Sequence, residues 1–203
     1  MSVSGWYGEV KMTEFSLRVP QDNSRVAEVR TGDVLFVTGD IAVARDQAHK
    51  KLLETYLPEL AGLPIFHCGP IARNAGGEWK ILAGGPTTST RMDALTPPIL
   101  EKYQTKIIIG KGGLGEIGKK GLANFGAVYS EFTGGASALA VSKIVRVKKR
   151  LLEELGPTEL VWVWEVKDFG PLLVTQDYSG NDLKKVVTTQ AASNIDRLVK
   201  TYA

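Results

Sequence analysis

Thr87, Thr88, Ser89 and Thr90 lead straight into Arg91, behind the hinge Gly84-Gly85-Pro86. A hydrophobic core has no use for that run, and an ordinary loop has none for the arginine at its end. Hydroxyls beside a guanidinium, which offers two parallel N–H donors, are chemistry for holding a carboxylate or another anion. Thr90 and Asp93 have the spacing of a capping box, so a helix is expected to start here. Arg91 would then sit in a first helical turn, where the helix dipole disfavours a cation unless an anion lies beside it.

Two further cations stand at comparable places. Ile107-Ile108-Ile109 runs into Gly110-Lys111-Gly112-Gly113, so a strand ends where glycines let backbone N–H groups approach an anion and Lys111 supplies charge. The segment fits three motifs incompletely. Gly110, Gly112 and Gly115 spell a dinucleotide fingerprint, but Glu131 is poorly placed to meet a ribose. The phosphate-loop pattern has Lys120 where Ser or Thr should bind magnesium. The RNA-clamping GXXG loop joins two helices, whereas this run follows a strand. A tight strand-to-helix turn with Lys111 solvated is the plain alternative. In Ala44-Arg45-Asp46-Gln47-Ala48-His49, Arg45 and His49 share one helical face, and a surface ion pair with Asp46 or Glu54 is the plain alternative for Arg45. Three cations near three strand ends fit the rule that ligands gather at strand ends of α/β sheets.

The elements that must position these residues interleave along the chain. Strands are expected at 14–20, 33–43 (with Gly39 as a break), 64–72, 79–86 and 105–110. A helix is expected over 44–57 from Ala44, Ala48, Leu52 and Tyr56. Ala136, Ala140, Ile144, Val147, Leu151 and Leu155 predict a long helix over 134–155. Strands at 158–166 and 171–175 flank Lys167-Asp168-Phe169-Gly170, and the polar tail from Asn181 reads as helical. The interleaving predicts a single α/β domain over 1–203 with a mixed sheet.

Composition narrows the chemistry. With 203 residues the chain is long enough for one substantial core. Net charge of +3, from 25 basic and 22 acidic side chains, suits a small anion and is too weak to argue for nucleic acid. Cys68 is the single cysteine, and His49 and His67 are the two histidines, which together are poor material for a zinc or iron–sulfur site. The opening residues lack the pattern of a signal peptide and no run is long enough to span a membrane, so a cytoplasmic protein is expected.

Taken in order, ARDQAHKKL, FHCGPI, AGGPTTSTRMD, IIIGKGG and GGASALA resemble the β subunit, or C-terminal domain, of the iron–sulfur-dependent class I fumarases and L-tartrate dehydratases. The similarity runs from about residue 15 to about 180, leaving an N-terminal extension (1–12) and a C-terminal tail (181–203). It implies a compact swivelling β/β/α domain that closes over a site shared with an α subunit, in an α2β2 assembly. It further implies a [4Fe-4S] cluster on three cysteines of that α subunit, whose open iron acts as a Lewis acid on the substrate. Arg45, Arg91 and Lys111 are implied as carboxylate-binding cations, Thr87 as the catalytic base, and Thr88 and Thr90 as substrate contacts. The expected reaction is reversible hydration of fumarate to L-malate, with tartrate and methylfumarate as rival substrates.

An aliphatic hydroxyl ionises far above neutral pH, so Thr87 would need a neighbouring cation or a proton relay. Two other classes of function are weighed. An RNA- or nucleotide-binding module would use the 107–120 glycine loop and the basic run Ser142–Arg150. A scaffold subunit would use the loops merely as turns.

Overall fold

The computed structural model describes residues 12–202, so the N-terminal extension, apart from Met12, lies outside the described residues. Nine strands form: β1 (Glu14–Val19), β2 (Val34–Ala44), β3 (Ile65–His67), β4 (Ile71–Ala75), β5 (Glu78–Ala83), β6 (Ile107–Gly110), β7 (Val128–Glu131), β8 (Ile144–Leu151) and β9 (Val161–Gln176). Five helices accompany them: α1 (Asp46–Glu54), α2 (Thr96–Tyr103), α3 (Glu116–Phe125), α4 (Ser137–Ser142) and α5 (Leu183–Tyr202). The expected α/β class with a mixed sheet is found.

Two long strands organise the sheet. Along one edge β2 pairs first with β1 (Glu14↔Val34 to Val19↔Gly39) and then with β3 (Ala42↔Ile65 to Ala44↔His67), both parallel. β9 divides its edge in the same way, between β8 (Leu151↔Val161 to Ile144↔Val166) and β7 (Glu131↔Leu173 to Tyr129↔Gln176), both antiparallel. On their other edges β2 and β9 pair with each other, from Val43↔Trp162 to Val34↔Leu173. β3, β6 and β7 bridge the gap in parallel. The run β2-β3-β6-β7-β9 therefore closes on itself.

The period of two along each strand sorts side chains between an interior and an outer face. Leu35, Val37, Ile41, Val43, Ile107, Ile109, Trp162, Trp164 and Val166 point inward with Phe66, Phe132 and Phe169. Phe169 has its ring centroid 5.3 Å from Phe66 and 5.2 Å from Phe132. Ala42, Ala44, Ile65, Ile108 and Val163 face outward and are covered by Ala48 and Leu52 of α1, Ile99, Leu100 and Tyr103 of α2, and Leu122 of α3. Small residues on β2 let α1 settle closely on the sheet.

Four expectations are corrected. Residues 134–155 are not one helix: α4 is short, and Ile144–Leu151 form β8 against the free edge of β9. The fourfold stripe was real, but β-branched Ile144, Val145 and Val147 suit a strand, and the edge of β9 supplied hydrogen bonds a helix would not have used. Residues 158–166 and 171–175 are halves of the single strand β9, with register shifts opposite Leu35–Gly39 absorbing Lys167–Gly170. The expected strand 64–72 divides into β3 and β4 at Cys68-Gly69-Pro70. Gly39 does not break β2. Its φ is +129°, and a Cβ there would strike the Val19 carbonyl, so glycine lets β1 lie close.

β2, β3 and β6 run parallel in matched register, with Ala44 opposite His67 and Phe66 opposite Ile109. Their C-terminal ends consequently open at one edge of the sheet. Arg45, the loop after Cys68 and Lys111 all emerge there.

Candidate active site

Arg45 is the residue before the first turn of α1, and its extended backbone marks the exit from β2. Its Nε lies 3.3 Å from Asp46 Oδ2 and 3.0 Å from Glu159 Oε1. Asp46 is one of the two carboxylates anticipated for it; Glu159 arrives from the approach to β9, where sequence spacing gave no hint. Gly69 makes room for this side chain, since a Cβ there would collide with Arg45 Cδ and Nη1.

The hydroxyl run crosses the same edge. Thr87 N–H donates to the His67 carbonyl at 2.7 Å, Ser89 N–H to the Lys111 carbonyl at 2.9 Å, and Thr88 bridges Lys111 in parallel. Thr90 Oγ1 donates to the Gly113 carbonyl at 3.3 Å. A 3-10 helix, Ser89–Leu95, then leads into α2, so a helical segment does begin here. The expected capping box is absent. Asp93 instead accepts from Gly118 N–H at 2.8 Å and satisfies the first turn of α3. The long-range partner wins because that turn's N–H groups would otherwise be left without one.

Arg91 projects from the 3-10 helix. Its Nη2 donates to Thr87 Oγ1 at 2.5 Å and lies 3.0 Å from Asp46 Oδ2. The same Asp46 oxygen therefore touches both Arg45 and Arg91. Arg45, Arg91 and Thr87 form one connected group, whereas Thr88, Thr90 and Lys111 are tied together through the backbone of the glycine loop. Lys111 is exposed, and among the described residues its ammonium has no carboxylate partner.

Beneath these groups lie buried residues that sequence reasoning treated only as poor metal ligands or passed over. His67 Nδ1 is 2.9 Å from Ser89 Oγ, Tyr129 O–H donates to Ser89 Oγ at 2.9 Å, and Gly113 N–H donates to the Tyr129 oxygen at 3.3 Å. Gly110 must lack a side chain, because a Cβ would overlap the Ser89 hydroxyl. His49 Nδ1 is 3.0 Å from the Arg45 carbonyl, and the two imidazoles meet edge-on with centroids 4.9 Å apart. Burial pushes the pKa of both histidines below the ordinary value, His67 further, and raises that of Tyr129. A usable signal was present in the sequence: Phe66-His67-Cys68 puts a polar ring inside an apolar strand, where it must find a partner.

The chain's own donors do not fit an iron–sulfur cluster. Cys68 is buried and its thiol is pushed up to about 12 by burial, so it offers no ready thiolate, and one cysteine is too few. No three His, Cys, Asp or Glu side chains converge among the described residues. None of the described helices is long and apolar enough to cross a membrane.

Comparison with known proteins identifies the family. Residues 6–187 match the family described as "Fumarase C-terminus". The L(+)-tartrate dehydratase subunit beta of Escherichia coli K12 is 37% identical over 170 residues, covering 82% of this chain and 85% of that protein. The putative L(+)-tartrate dehydratase subunit beta of Methanocaldococcus jannaschii is 34% identical over 181 residues, 86% of this chain and 93% of that one. A putative fumarate hydratase class I from Geobacillus stearothermophilus is 33% identical over 184 residues, 90% of this chain but 36% of that longer protein. With the match spanning the closed sheet, the hydroxyl run and all three cations, the chain belongs to the fumarase C-terminus family.

Proposed function

We propose that this chain is the β subunit of an iron–sulfur hydro-lyase that reversibly hydrates fumarate to L-malate, working with an α subunit. Arg45, Arg91 and Lys111 hold the substrate's carboxylates, Thr88 and Thr90 contact it, and Thr87 is the base. The cluster expected from the resemblance has no ligand set here, so it is assigned to the α subunit. The relatives' names include subunit beta of L(+)-tartrate dehydratase, which makes tartrate the rival substrate.

One observation carries the reading: Arg91 binds the Thr87 hydroxyl and, with Arg45, a single carboxylate oxygen of Asp46. Two guanidinium groups, one at the end of β2 and one on the 3-10 helix, thus meet where a single carboxylate can lie, and Lys111 is left for the second carboxylate of a short diacid. Fixing both ends of the substrate sets the reacting carbon against Thr87 and removes the entropy of finding that geometry. Arg91, hydrogen-bonded to Thr87 Oγ1, favours the ionised hydroxyl over the neutral one. The same guanidinium and the Lys111 ammonium stabilise the negative charge that develops, in the dehydration direction, as a proton leaves carbon next to a carboxylate.

The nucleotide-binding alternative is not favoured. Three N–H groups of the glycine loop that would cradle a phosphate already have partners: Gly113 with Tyr129, Leu114 with Gln176 (3.0 Å) and Gly118 with Asp93.

The test is reconstitution of the full chain with its α subunit and assay on fumarate, L-tartrate and methylfumarate. The proposal expects hydration of fumarate to be fastest. Preference for tartrate would reassign the substrate, and no turnover of any of the three would overturn the reading.

A further inference from the structure

The buried groups under the site can be followed proton by proton. Gly113 N–H can only donate, so the Tyr129 oxygen accepts it and Tyr129 gives its own proton to Ser89. Ser89 then has one proton to place, and His67 Nδ1, at 2.9 Å, is the acceptor facing it. That demands a lone pair on His67 Nδ1, which puts the ring proton on Nε2. At the other end the Arg45 carbonyl can only accept, so His49 carries its proton on Nδ1 and keeps a lone pair on Nε2. Two nitrogens are left over, His67 Nε2–H and the His49 Nε2 lone pair. Both are buried, neither has a hydrogen-bond partner among the described residues, and they belong to the two rings in edge contact. The opposite assignment for His67 would strand the Ser89 proton and leave two lone pairs on the touching rings.

We propose that His67 and His49 are fixed as opposite neutral tautomers by two hydrogen-bonded runs, Gly113 N–H to His67 and His49 to the Arg45 carbonyl, which meet at the edge contact of the rings, and that His67 and Ser89 act through this chain of contacts as positioning residues. The chain touches each of the three segments that bear the site: the glycine loop with Lys111, the Thr87–Arg91 run through Ser89, and the end of β2 through Arg45. Burial, which opposes a charged imidazole at both positions, keeps the order intact. The positioning role rests on the functional reading above; the proton order does not.

With only two histidines, the full chain labelled with nitrogen-15 gives two imidazole spin systems, and long-range proton–nitrogen correlation identifies the protonated nitrogen in each. The expected spectrum at neutral pH shows one ring protonated on Nδ1 and the other on Nε2. Two rings of the same tautomer, or a charged ring, would overturn the order without any variant being needed. His67→Asn then assigns the pair. Ser89→Ala is expected to release His67 into a mixture of tautomers. In the reconstituted enzyme it should raise KM for the diacid on the order of tenfold, with a smaller change in kcat. Loss of stability with the His67 tautomer and KM unchanged would reduce Ser89 to packing and sink the positioning role. If the opposite tautomers are seen but no diacid is turned over, the functional reading fails while the chain stands. Turnover with two like tautomers fails the chain alone.

Discussion

Asp46 Oδ2 lies 3.0 Å from Arg91 Nη2 and 3.3 Å from Arg45 Nε, so one carboxylate oxygen joins cations from the start of α1 and from the hydroxyl run. Under the proposed function, Asp46 occupies donors that an incoming carboxylate needs. It therefore does two things: it holds the guanidinium groups in place, and it sets a threshold that only a well-fitted anion passes.

Replacing Arg91 is expected to be costly in both variants. Arg91→Ala removes the contacts to Thr87 and Asp46 and should lower kcat/KM in the reconstituted enzyme by about 100- to 1,000-fold, the scale seen when one charge-stabilising donor is lost. Arg91→Lys should recover little, because a point charge cannot serve the hydroxyl and the carboxylate as a planar fork does. Steady-state kinetics decide, and an Arg91→Lys enzyme of near-normal rate would contradict the geometry.

Thr87→Ala should lower kcat by orders of magnitude while leaving KM nearly unchanged, whereas Thr87→Ser should keep measurable activity by keeping the hydroxyl. Near-normal turnover of the alanine variant would remove Thr87 as the base. The hydrogen bond from Arg91 supplies the neighbouring cation that such a role requires.

Stability should fall with acid in a window set by the histidines. Both have folded pKa values below the ordinary 6.5, through burial first; the Arg45 carbonyl and Asp46 oppose the shift at His49, while His49 adds to it at His67. Below pH 6.5 the unfolded chain takes up protons that the folded chain refuses. Stability is thus complete above that value and is lost as pH drops toward the depressed folded values, by at most about 1.4 kcal/mol per pH unit for each histidine. Urea denaturation at pH 7.5 and 5.5 measures the loss, and His67→Asn should flatten it relative to the parent.

Gly110→Ala places a methyl group where the Ser89 hydroxyl sits. The overpacking should cost about 1–3 kcal/mol, seen as a lower urea midpoint at unchanged m value. An unshifted midpoint would show that the network tolerates displacement.

Much of the candidate site was legible because two of its cations follow apolar runs that end abruptly. Arg45 and Lys111 each stand just past such an end, on β2 and β6, which the sheet aligns through β3, and Arg91 lies farther on, in the hydroxyl run that follows β5. What escaped was set by contacts distant in sequence. Glu159 reaches Arg45 only because β9 lies against β2. Asp93 matched a local cap yet serves α3, and Ser89 looked like one hydroxyl among four until His67 and Tyr129 were found on either side of it. β8 misled for a related reason: Ala136, Ala140 and Ile144 keep a helical stripe, and only the unused edge of β9 favours the extended form.

The pairing of Val34 with Leu173 also bears on how the molecule is made. During translation β1 and β2 leave the ribosome long before β9 exists, so the nascent chain carries an open, aggregation-prone strand edge for most of its synthesis. Contacts of such high order form slowly, and the final closure waits for the last strand to emerge. A message truncated before residue 161 would yield no partial version of this domain, only a sheet without its seam.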